Sequence, residues 1–440
     1  MIVSMVSLGC AKNLVDAERM LYLLKEAGHT LTVEPGDAEI AVVNTCGFIQ
    51  SAKEEAIETI LELVQLKAEG TLKAIIVTGC LAERYREEMA EQFPEVDAVI
   101  GLGDEKQLCA VIDRVTKGDR VVQFAPKKDL PLTGGRVLST LPFFAYLKIA
   151  EGCDNRCTYC AIPYIRGKYR SRSIENIVAE AQALCEDGVK ELIVVAQDTT
   201  RYGIDLYGEK KIAELLTELC KIEKLQWVRI HYCYPEELDD KLIETIKNEN
   251  KIVKYLDIPV QHGCDSVLKR MGRKTDRKSI EELVLKLRRE IPEITLRTSI
   301  IAGFPGETEQ EFNELCEFLE TVKFDRTGVF AFSCEEGTPA ARLKGQLEEE
   351  VKEERRNIVM ELCQRISLKR NEAMVGKVIT VMAEGFEDNL YYGRSGAESI
   401  EIDPKIYFGA HRDLNPGDFV QVEIKSADVY DLYGEERTEE

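Results

Sequence analysis

Long runs of apolar residues are absent from this 440-residue sequence, and so is any excess of positive charge. No stretch approaches the ~18 consecutive apolar residues of a membrane-spanning helix, so no membrane association is expected. Lys and Arg total 58 against 79 Asp and Glu, which gives a net charge of −21. Proteins that mainly bind the nucleic-acid backbone usually carry the opposite charge. A basic protein partner or a small molecule is therefore favoured, unless a local basic patch lies within the acidic whole.

Histidine is also scarce. The four histidines form no Ser/His/Asp arrangement and no His-x-x-x-His pattern, which argues against a hydrolytic triad and against a histidine-based zinc site. His231 and His262 are interpreted as hydrogen-bonded residues at the ends of strands rather than as catalytic bases.

The first residues, MIVSMVSLGC, lack the positive segment and the long apolar stretch of an export signal. We therefore expect a cytoplasmic protein in a reducing compartment, where fourteen cysteines do not form a disulfide framework. Metal binding is the better interpretation of those cysteines that cluster. An apolar content of 44% and a charged content of 31% are typical of a folded globular protein, and the length predicts two or three domains.

The fold class predicted from the pattern of segments is α/β. Residues 1–125 alternate strand-like segments, at 2–8, 38–44, 73–79 and 96–101, with helix-like segments, which predicts an N-terminal parallel sheet covered by helices on both faces. Residues 126–143 contain prolines and a Gly-Gly pair and are predicted to be a linker. Residues 144–373 show six strand-and-helix units, which indicates a barrel or partial barrel with its chemistry at the carboxyl ends of the strands. Short alternating strands over 374–440, at 377–385, 389–395 and 418–427, predict a small β-barrel.

The segment EGCDNRCTYC, residues 151–160, places Cys153, Cys157 and Cys160 on one turn after a predicted strand. Three soft thiolates at this spacing suit one face of a four-iron cluster or a zinc ion. Structural zinc sites usually close with four protein ligands, and no fourth Cys or His lies nearby in the sequence. An iron–sulfur cluster with one iron open to a substrate or cofactor is therefore favoured over zinc.

A second set of cysteines, Cys10, Cys46 and Cys80, is dispersed along the N-terminal region. Each directly follows a predicted strand, in SLGC, VNTC and VTGC. The carboxyl ends of neighbouring parallel strands share one edge of a sheet, where ligands bind. Three unrelated buried cysteines are the alternative interpretation. A second three-thiol site is favoured, because all three loops place the cysteine at the same point.

Two further strand ends carry weaker signals. VVAQDTTRYG offers Gln197 and Asp198, and SIIAGFPGET offers glycines, among them Gly303, where the backbone can approach a ligand closely. Arg297 lies within an apolar strand and therefore needs a polar ligand or a carboxylate partner. No Gly-Lys-Ser/Thr follows the glycines, so a phosphate-binding loop is excluded.

With these motifs in place, the sequence resembles a known family. EGCDNRCTYC is similar to the signature of radical S-adenosylmethionine (SAM) enzymes. The SLGC, VNTC and VTGC motifs before it and the β-rich tail after it extend the resemblance to the methylthiotransferase family over essentially the whole chain. The resemblance implies an N-terminal methylthiotransferase domain, a central partial (β/α)6 radical-SAM barrel and a C-terminal TRAM domain.

One branch of that family modifies an aspartate of a small-subunit ribosomal protein, and other branches modify an adenosine of tRNA. The chain resembles the aspartyl branch in SLGCAKNLVDAE, NTCGFIQSAKEEAIETI, IPYIRGKYRSRSIENI, VAQDTTRYGIDLYG, EEGTPAA and GRSGAESIEID. The region 374–440 has 15 acidic and 6 basic residues, which suits a basic protein better than RNA. A merely solvated acidic tail is the alternative. Cys264 and Cys334 depart from the family pattern, so not every thiol is expected to be functional.

The resemblance also implies a mechanism. Cys153, Cys157 and Cys160 would hold a 4Fe–4S cluster whose open iron binds SAM. Reduction would yield a 5′-deoxyadenosyl radical that takes a hydrogen from the β-carbon of the aspartate. Cys10, Cys46 and Cys80 would hold a second 4Fe–4S cluster that presents the sulfur, and a second SAM would donate the methyl group. The predicted SAM contacts are Tyr159, Gln197, Arg297 and Gly303; no catalytic residue beyond the cluster ligands is predicted.

The expected partners follow from the same resemblance. They are a basic small-subunit ribosomal protein as the substrate, an electron-donor protein and a sulfur donor, with the enzyme itself a monomer. A tRNA is the less favoured acceptor. A non-catalytic, metal-bearing RNA-binding protein is an alternative of a different class.

Metal analysis after anaerobic reconstitution separates these classes. We expect about eight irons per chain, four for each of two clusters, because each three-thiol group suits one four-iron cluster. A protein that takes up mainly zinc would contradict the iron–sulfur interpretation.

Overall fold

A computed structural model of the chain describes residues 1–438. The N-terminal region contains a six-stranded, fully parallel sheet. Its strands are β1 (Ile2–Ser7), β2 (Thr30–Thr32), β3 (Ile40–Thr45), β4 (Ala74–Gly79), β5 (Ala98–Ile100) and β6 (Val121–Gln123), in the order β2-β1-β3-β4-β5-β6. The helices are α1 (Ala11–Glu26), α2 (Gln50–Ala68), α3 (Cys80–Gln92) and α4 (Leu108–Val115).

Helices cover both faces of this sheet, as the sequence predicts. The apolar side chains of α2 and α3 pack on one face and those of α1 and α4 on the other. All residues of β3 and β4 are buried, which explains their continuous apolar sequences. The sequence pattern does not show β2 and β6, because these short edge strands are partly exposed and lack the buried apolar residues of the inner strands.

The central region is an open, parallel, six-stranded sheet that forms the predicted partial barrel, or half-barrel. Its strands, in sheet order, are β7 (Phe144–Lys148), β10 (Glu191–Val195), β11 (Trp227–Ile230), β12 (Ile252–Asp257), β13 (Thr295–Ala302) and β14 (Arg326–Ala331). Two-residue strands β8 (Ala150–Glu151) and β9 (Arg170–Ser171) form a separate pair. The helices are α5 (Ile162–Arg166), α6 (Ile174–Glu186), α7 (Ile204–Tyr207), α8 (Ile212–Cys220), α9 (Asp240–Asn248), α10 (Asp265–Arg270), α11 (Arg277–Glu290), α12 (Glu309–Val322) and α13 (Glu349–Glu372). No helix within residues 1–438 is long and apolar enough to cross a membrane.

The C-terminal region is a closed five-stranded barrel, also as predicted. Its strands are β15 (Val378–Glu387), β16 (Leu390–Arg394), β17 (Ile406–Gly409), β18 (Phe419–Ala427) and β19 (Leu432–Glu436). Closure leaves no free strand edge. The sequence pattern missed the short strands β17 and β19.

The predicted linker, residues 126–143, is not a free tether. Arg136 within it is almost fully buried and donates hydrogen bonds to Glu18 of α1, at 3.0 Å, and to Glu180 of α6, at 2.8 Å. The segment thus connects the N-terminal sheet to the half-barrel through charge pairs. The domain boundaries at 125, 143 and 373 stay predictions.

A buried charge cluster fixes the C-terminal barrel against the half-barrel. The Glu191 carboxylate accepts hydrogen bonds from Arg229 at 2.8 Å and from Arg394, the last residue of β16, at 2.6 Å. Burial would raise the pKa of Glu191, but the charges of Arg394 and Arg229 outweigh it and hold that pKa at about 2. Glu384 of β15 pairs with the other side of Arg394.

Removal of the Glu191 charge tests this docking. Glu191→Gln leaves two buried guanidinium groups without their shared anion, which is expected to destabilise the barrel contact by about 3 kcal/mol. Urea unfolding followed by Trp227 fluorescence measures this, because this single tryptophan stacks edge-on against Phe419 of the barrel, 4.9 Å between ring centroids.

The control for this variant is Glu186→Gln. Glu186 pairs with Lys224 at the surface, where its side chain is 69% exposed, so no shift of the unfolding midpoint is expected. Equal midpoints for Glu191→Gln and Glu186→Gln would show that the buried charge cluster does not hold the barrel.

Candidate active site

The first cysteine group lies on the loop between β8 and α5, at the carboxyl ends of the barrel strands. Cys153 and Cys157 are buried and Cys160 is half-buried. The backbone fixes the loop: the Thr158 N–H donates to the Met271 carbonyl at 2.9 Å, and the Thr158 carbonyl accepts from Ala340 at 2.8 Å. Three thiols are thereby held on one short loop by segments that follow β12 and β14.

The second group comes from three separate loops of the N-terminal sheet. Cys10 caps α1 after β1, Cys46 directly follows β3, and Cys80 directly follows β4 and begins α3. The loops are in close contact: a Cβ added to Gly9 would lie 2.6 Å from the Cβ of Cys46. The structure therefore brings the three dispersed cysteines to one edge of the sheet.

The two groups face a common boundary between the N-terminal sheet and the half-barrel. Cys80 packs in the same buried apolar cluster as Ala161 and Ile165, which follow Cys160 in the chain. The charge of Lys12 in α1 acts on both groups: it helps to lower the pKa of Cys10, and it weakly opposes burial at Cys160, whose pKa is raised. Sequence analysis did not predict this proximity.

Each cysteine group offers three thiols, the donor chemistry that iron–sulfur clusters take. All fourteen cysteines are free thiols, as expected. Within residues 1–438, no group of three or more Cys, His, Asp or Glu side chains is close enough to hold one metal ion. The thiolates of a four-iron cluster each bind a different iron and stand farther apart than the ligands of one zinc ion.

Burial controls the protonation of these thiols. It raises the pKa of Cys153 to about 11 and the pKa of Cys80 and Cys160 to about 12. Cys10 is the exception, because Lys12 and Arg166 outweigh burial and lower its pKa. Metal binding must therefore displace the protons of Cys80, Cys153 and Cys160, because only a thiolate is a metal ligand.

A fully buried charge network joins the loop of Cys153, Cys157 and Cys160 to helix α1, which follows Cys10. Asp16 of α1 pairs with Lys148 of β7 and, at 2.9 Å, with Arg166 of α5. Glu151, two residues before Cys153, lies 2.8 Å from Lys148 and 2.9 Å from Arg166. Arg166 also donates to Asn13 at 3.1 Å, in the first turn of α1 next to Cys10.

The four predicted SAM contacts occupy different surroundings. Gln197 follows β10 and donates to Glu151 at 3.2 Å, while its buried carbonyl oxygen has no donor within the described residues. Tyr159 is part of the cysteine loop itself and packs against the apolar cluster that contains Phe304 and Cys264. The Gly303 N–H donates to Glu307 at 3.2 Å, so this glycine takes part in a turn after β13.

Arg297 lies elsewhere. It is in the first half of β13, away from the cysteine loop, and its guanidinium lies 3.0 Å from Asp257 and 3.6 Å from Asp403 of the segment between β16 and β17. The sequence requirement for a polar ligand or a carboxylate partner is met by two carboxylates.

Sequence analysis missed Tyr234 and Arg273, which line the cysteine loop. The Arg273 guanidinium lies 4.3 Å from the Tyr234 ring centroid and 3.9 Å from the Cys157 sulfur. Both residues stand in irregular loops, where no periodicity marks them. Lys148 was also missed, although it shows the same signal as Arg297, a cationic side chain inside an apolar strand.

His231 and His262 have hydrogen-bond partners, as the sequence predicts. The Nε2 atom of His231 lies 2.8 Å from the Ser399 hydroxyl, and that of His262 lies 3.2 Å from Glu307. Burial lowers the pKa of His231 to about 3, so its ring is neutral at physiological pH.

Comparisons with known proteins agree with this architecture. Family models match residues 3–101 (Uncharacterized protein family UPF0004), residues 147–319 (Radical SAM superfamily) and residues 375–436 (TRAM domain). Over 98% of its length, the chain is 50% identical to the ribosomal protein uS12 methylthiotransferase RimO of Lachnoclostridium phytofermentans, 98% of which is covered. It is also 50% identical to that of Caldanaerobacter subterraneus subsp. tengcongensis over 98% of this chain and 99% of the relative. The chain belongs to the RimO family.

This membership confirms the predicted methylthiotransferase family and enzyme class. RimO proteins are radical-SAM methylthiotransferases, a class that uses 4Fe–4S chemistry and SAM. Among solved structures, the radical SAM methyltransferase TsrM from Kitasatospora setae, with cobalamin and a [4Fe-4S] cluster bound, has a TM-score of 0.56 and 16% identity. The alignment covers 77% of this chain and 76% of that chain, and it shows a shared fold.

Gly9 gives a test of the second cysteine group. Its φ is +88°, and the Cβ of Gly9→Ala would collide with Cys46. We expect Gly9→Ala to displace Cys10 and Cys46 and to reduce reconstituted iron from about eight to about four per chain. Iron analysis and the visible absorbance of the cluster measure this loss.

Gly28→Ala is the matched control. Gly28 has a φ of +82°, so an alanine is similarly strained there, but a Cβ would meet nothing within 4 Å. This variant is expected to keep its iron. Equal iron content in the two variants would show that contact between the Gly9 and Cys46 loops is not needed for cluster assembly.

Proposed function

We propose that this protein attaches a methylthio group to the β-carbon of an aspartate in ribosomal protein uS12, with two 4Fe–4S clusters and SAM. One observation carries the proposal: two groups of three cysteines, from two different sheets, meet at one buried boundary. The curated relatives at about 50% identity, named uS12 methylthiotransferases, support uS12 as the acceptor.

The two groups have different proposed roles. Cys153, Cys157 and Cys160 hold the cluster that binds SAM, on the loop at the carboxyl ends of the barrel strands. Cys10, Cys46 and Cys80 hold the cluster that carries the sulfur. Bound together, SAM and the reduced cluster supply a radical able to break a C–H bond that acid–base chemistry cannot activate.

The protein's own contribution is to fix the two cysteine loops relative to each other. The network of Asp16, Lys148, Glu151 and Arg166 crosses the boundary and orders both loops. Of the proposed SAM contacts, Gln197 has the strongest support, because its buried carbonyl oxygen is free beside the cysteine loop. Tyr159 lies in the same region, while Gly303 and Arg297 remain predictions.

The acidic tail supports a protein acceptor over tRNA. A TRAM barrel that binds RNA is expected to present basic residues, whereas this one has an excess of carboxylates that suits a basic ribosomal protein. An electron-donor protein, a sulfur donor and a monomeric enzyme complete the proposal.

Two serine variants separate the roles of the clusters. We expect Cys157→Ser to abolish the formation of 5′-deoxyadenosine from SAM. We expect Cys46→Ser to retain it but to yield no methylthio product, because the SAM-binding loop is intact and the sulfur site is not. Chromatography of the reaction and mass spectrometry of uS12 after incubation with SAM, sulfide and reductant measure the two outcomes.

Two results would contradict the proposal. Loss of 5′-deoxyadenosine in both variants would show that the two cysteine groups do not have separate tasks. Modification of tRNA without modification of uS12 by the unaltered enzyme would assign the chain to the tRNA-modifying reaction instead.

A further inference from the structure

Lys12 differs from every other buried cation of residues 1–438. Twelve Lys and Arg residues are buried, backbone included, in this part of the chain, and eleven of them lie within 4.0 Å of a carboxylate. Lys12 is 7% exposed and has no carboxylate partner among the described residues; its charge faces the Cys10 thiol and Tyr232 instead. Because a metal-bound Cys10 shares its charge with the metal, a further anion is expected to complete the site.

The position of Lys12 indicates where that anion would come from. Lys12 is the second residue of α1, two residues after Cys10, and its ammonium group lies 3.5 Å from the centroid of the Tyr232 ring, which follows β11. Its charge acts on Cys10 of one group and on Cys160 of the other. The unpaired cation is therefore at the boundary where the two cysteine groups meet.

The Tyr232 ring does not satisfy this cation completely. A cation over a ring face is attracted to it, but the ring accepts from one side, whereas an ammonium group has three N–H donors. The other cations at the boundary are already paired. Arg166 binds Asp16 and Glu151, and Arg273 lies 3.4 Å from Glu236.

We propose that Lys12 binds the side-chain carboxylate of the acceptor aspartate. This inference rests on the proposed function. The carboxylate is bonded to the β-carbon, so an ion pair to Lys12 would place the reacting C–H bond between the two cysteine groups. It would also select aspartate over asparagine, which has the same shape but no charge.

The test compares acceptor peptides in reconstituted, iron-loaded enzyme. Two peptides carry the uS12 acceptor segment with either aspartate or asparagine at the target position. Binding is measured anaerobically by fluorescence polarisation, with SAM present and reductant absent, so that no turnover occurs. We expect the unaltered enzyme to prefer the aspartate peptide by about 30-fold, the range of a desolvated charge pair.

Three variants locate that preference. Lys12→Met keeps an unbranched apolar side chain against Tyr232 and is expected to bind both peptides equally. Lys12→Arg keeps the charge and is expected to retain at least part of the preference. Lys53→Met removes a different buried lysine, which pairs with Glu335 at 3.0 Å, and is expected to retain the full preference. Iron content is measured for each variant.

The outcomes are distinguishable. A retained aspartate preference in Lys12→Met with normal iron content would overturn the inference. Loss of iron in Lys12→Met, with the aspartate preference unchanged in the fraction that keeps iron, would also overturn it, and would assign Lys12 to cluster stability. If the unaltered enzyme neither binds nor modifies the aspartate peptide, the proposed function itself fails. Equal binding of both peptides by Lys12→Met, with the preference intact in Lys53→Met, would support the inference.

Discussion

The arrangement of the two cysteine groups depends on one buried set of ion pairs, Asp16 and Glu151 with Lys148 and Arg166. All four side chains are almost completely removed from water, and each anion contacts both cations. Buried charges in this density are tolerated only when each has partners in good geometry. The network therefore specifies how the N-terminal sheet is placed relative to the half-barrel. Apolar contacts alone are not directional and would not fix this placement.

The same principle recurs where the third region meets the half-barrel. Glu191 is shared by Arg229 and Arg394, and Tyr255 donates to Asp403 at 2.6 Å. Hydrogen-bonded charges are directional, whereas apolar packing is not. An acidic chain of this size thus uses its buried arginines to define how its parts fit together.

The sequence predicts the parts of the molecule better than their contacts. Strand and helix alternation gave both parallel sheets, and a shared position after β1, β3 and β4 placed three distant cysteines at one sheet edge. The short strands β2 and β6 were not predicted, because they are partly exposed edge strands without a continuous apolar sequence. Lys148 and Arg166 were not predicted as a network, since their partner Asp16 lies more than a hundred residues away and no local pattern encodes that separation. Arg297 illustrates a limit of another kind. Its need for a polar partner was evident, but one of its two partners, Asp403, comes from a different region.

The segment between β16 and β17 determines how the C-terminal barrel is positioned relative to the cysteine loops. Ser399 and Asp403 of this segment reach into the half-barrel sheet and bond to His231 and Tyr255. Buried hydrogen bonds thus hold the C-terminal barrel against the half-barrel sheet. An acceptor protein that docked on this barrel would be held at a set distance from the cysteine loops. Distance from the docking point would then help to determine which residue is modified, in addition to its chemical identity.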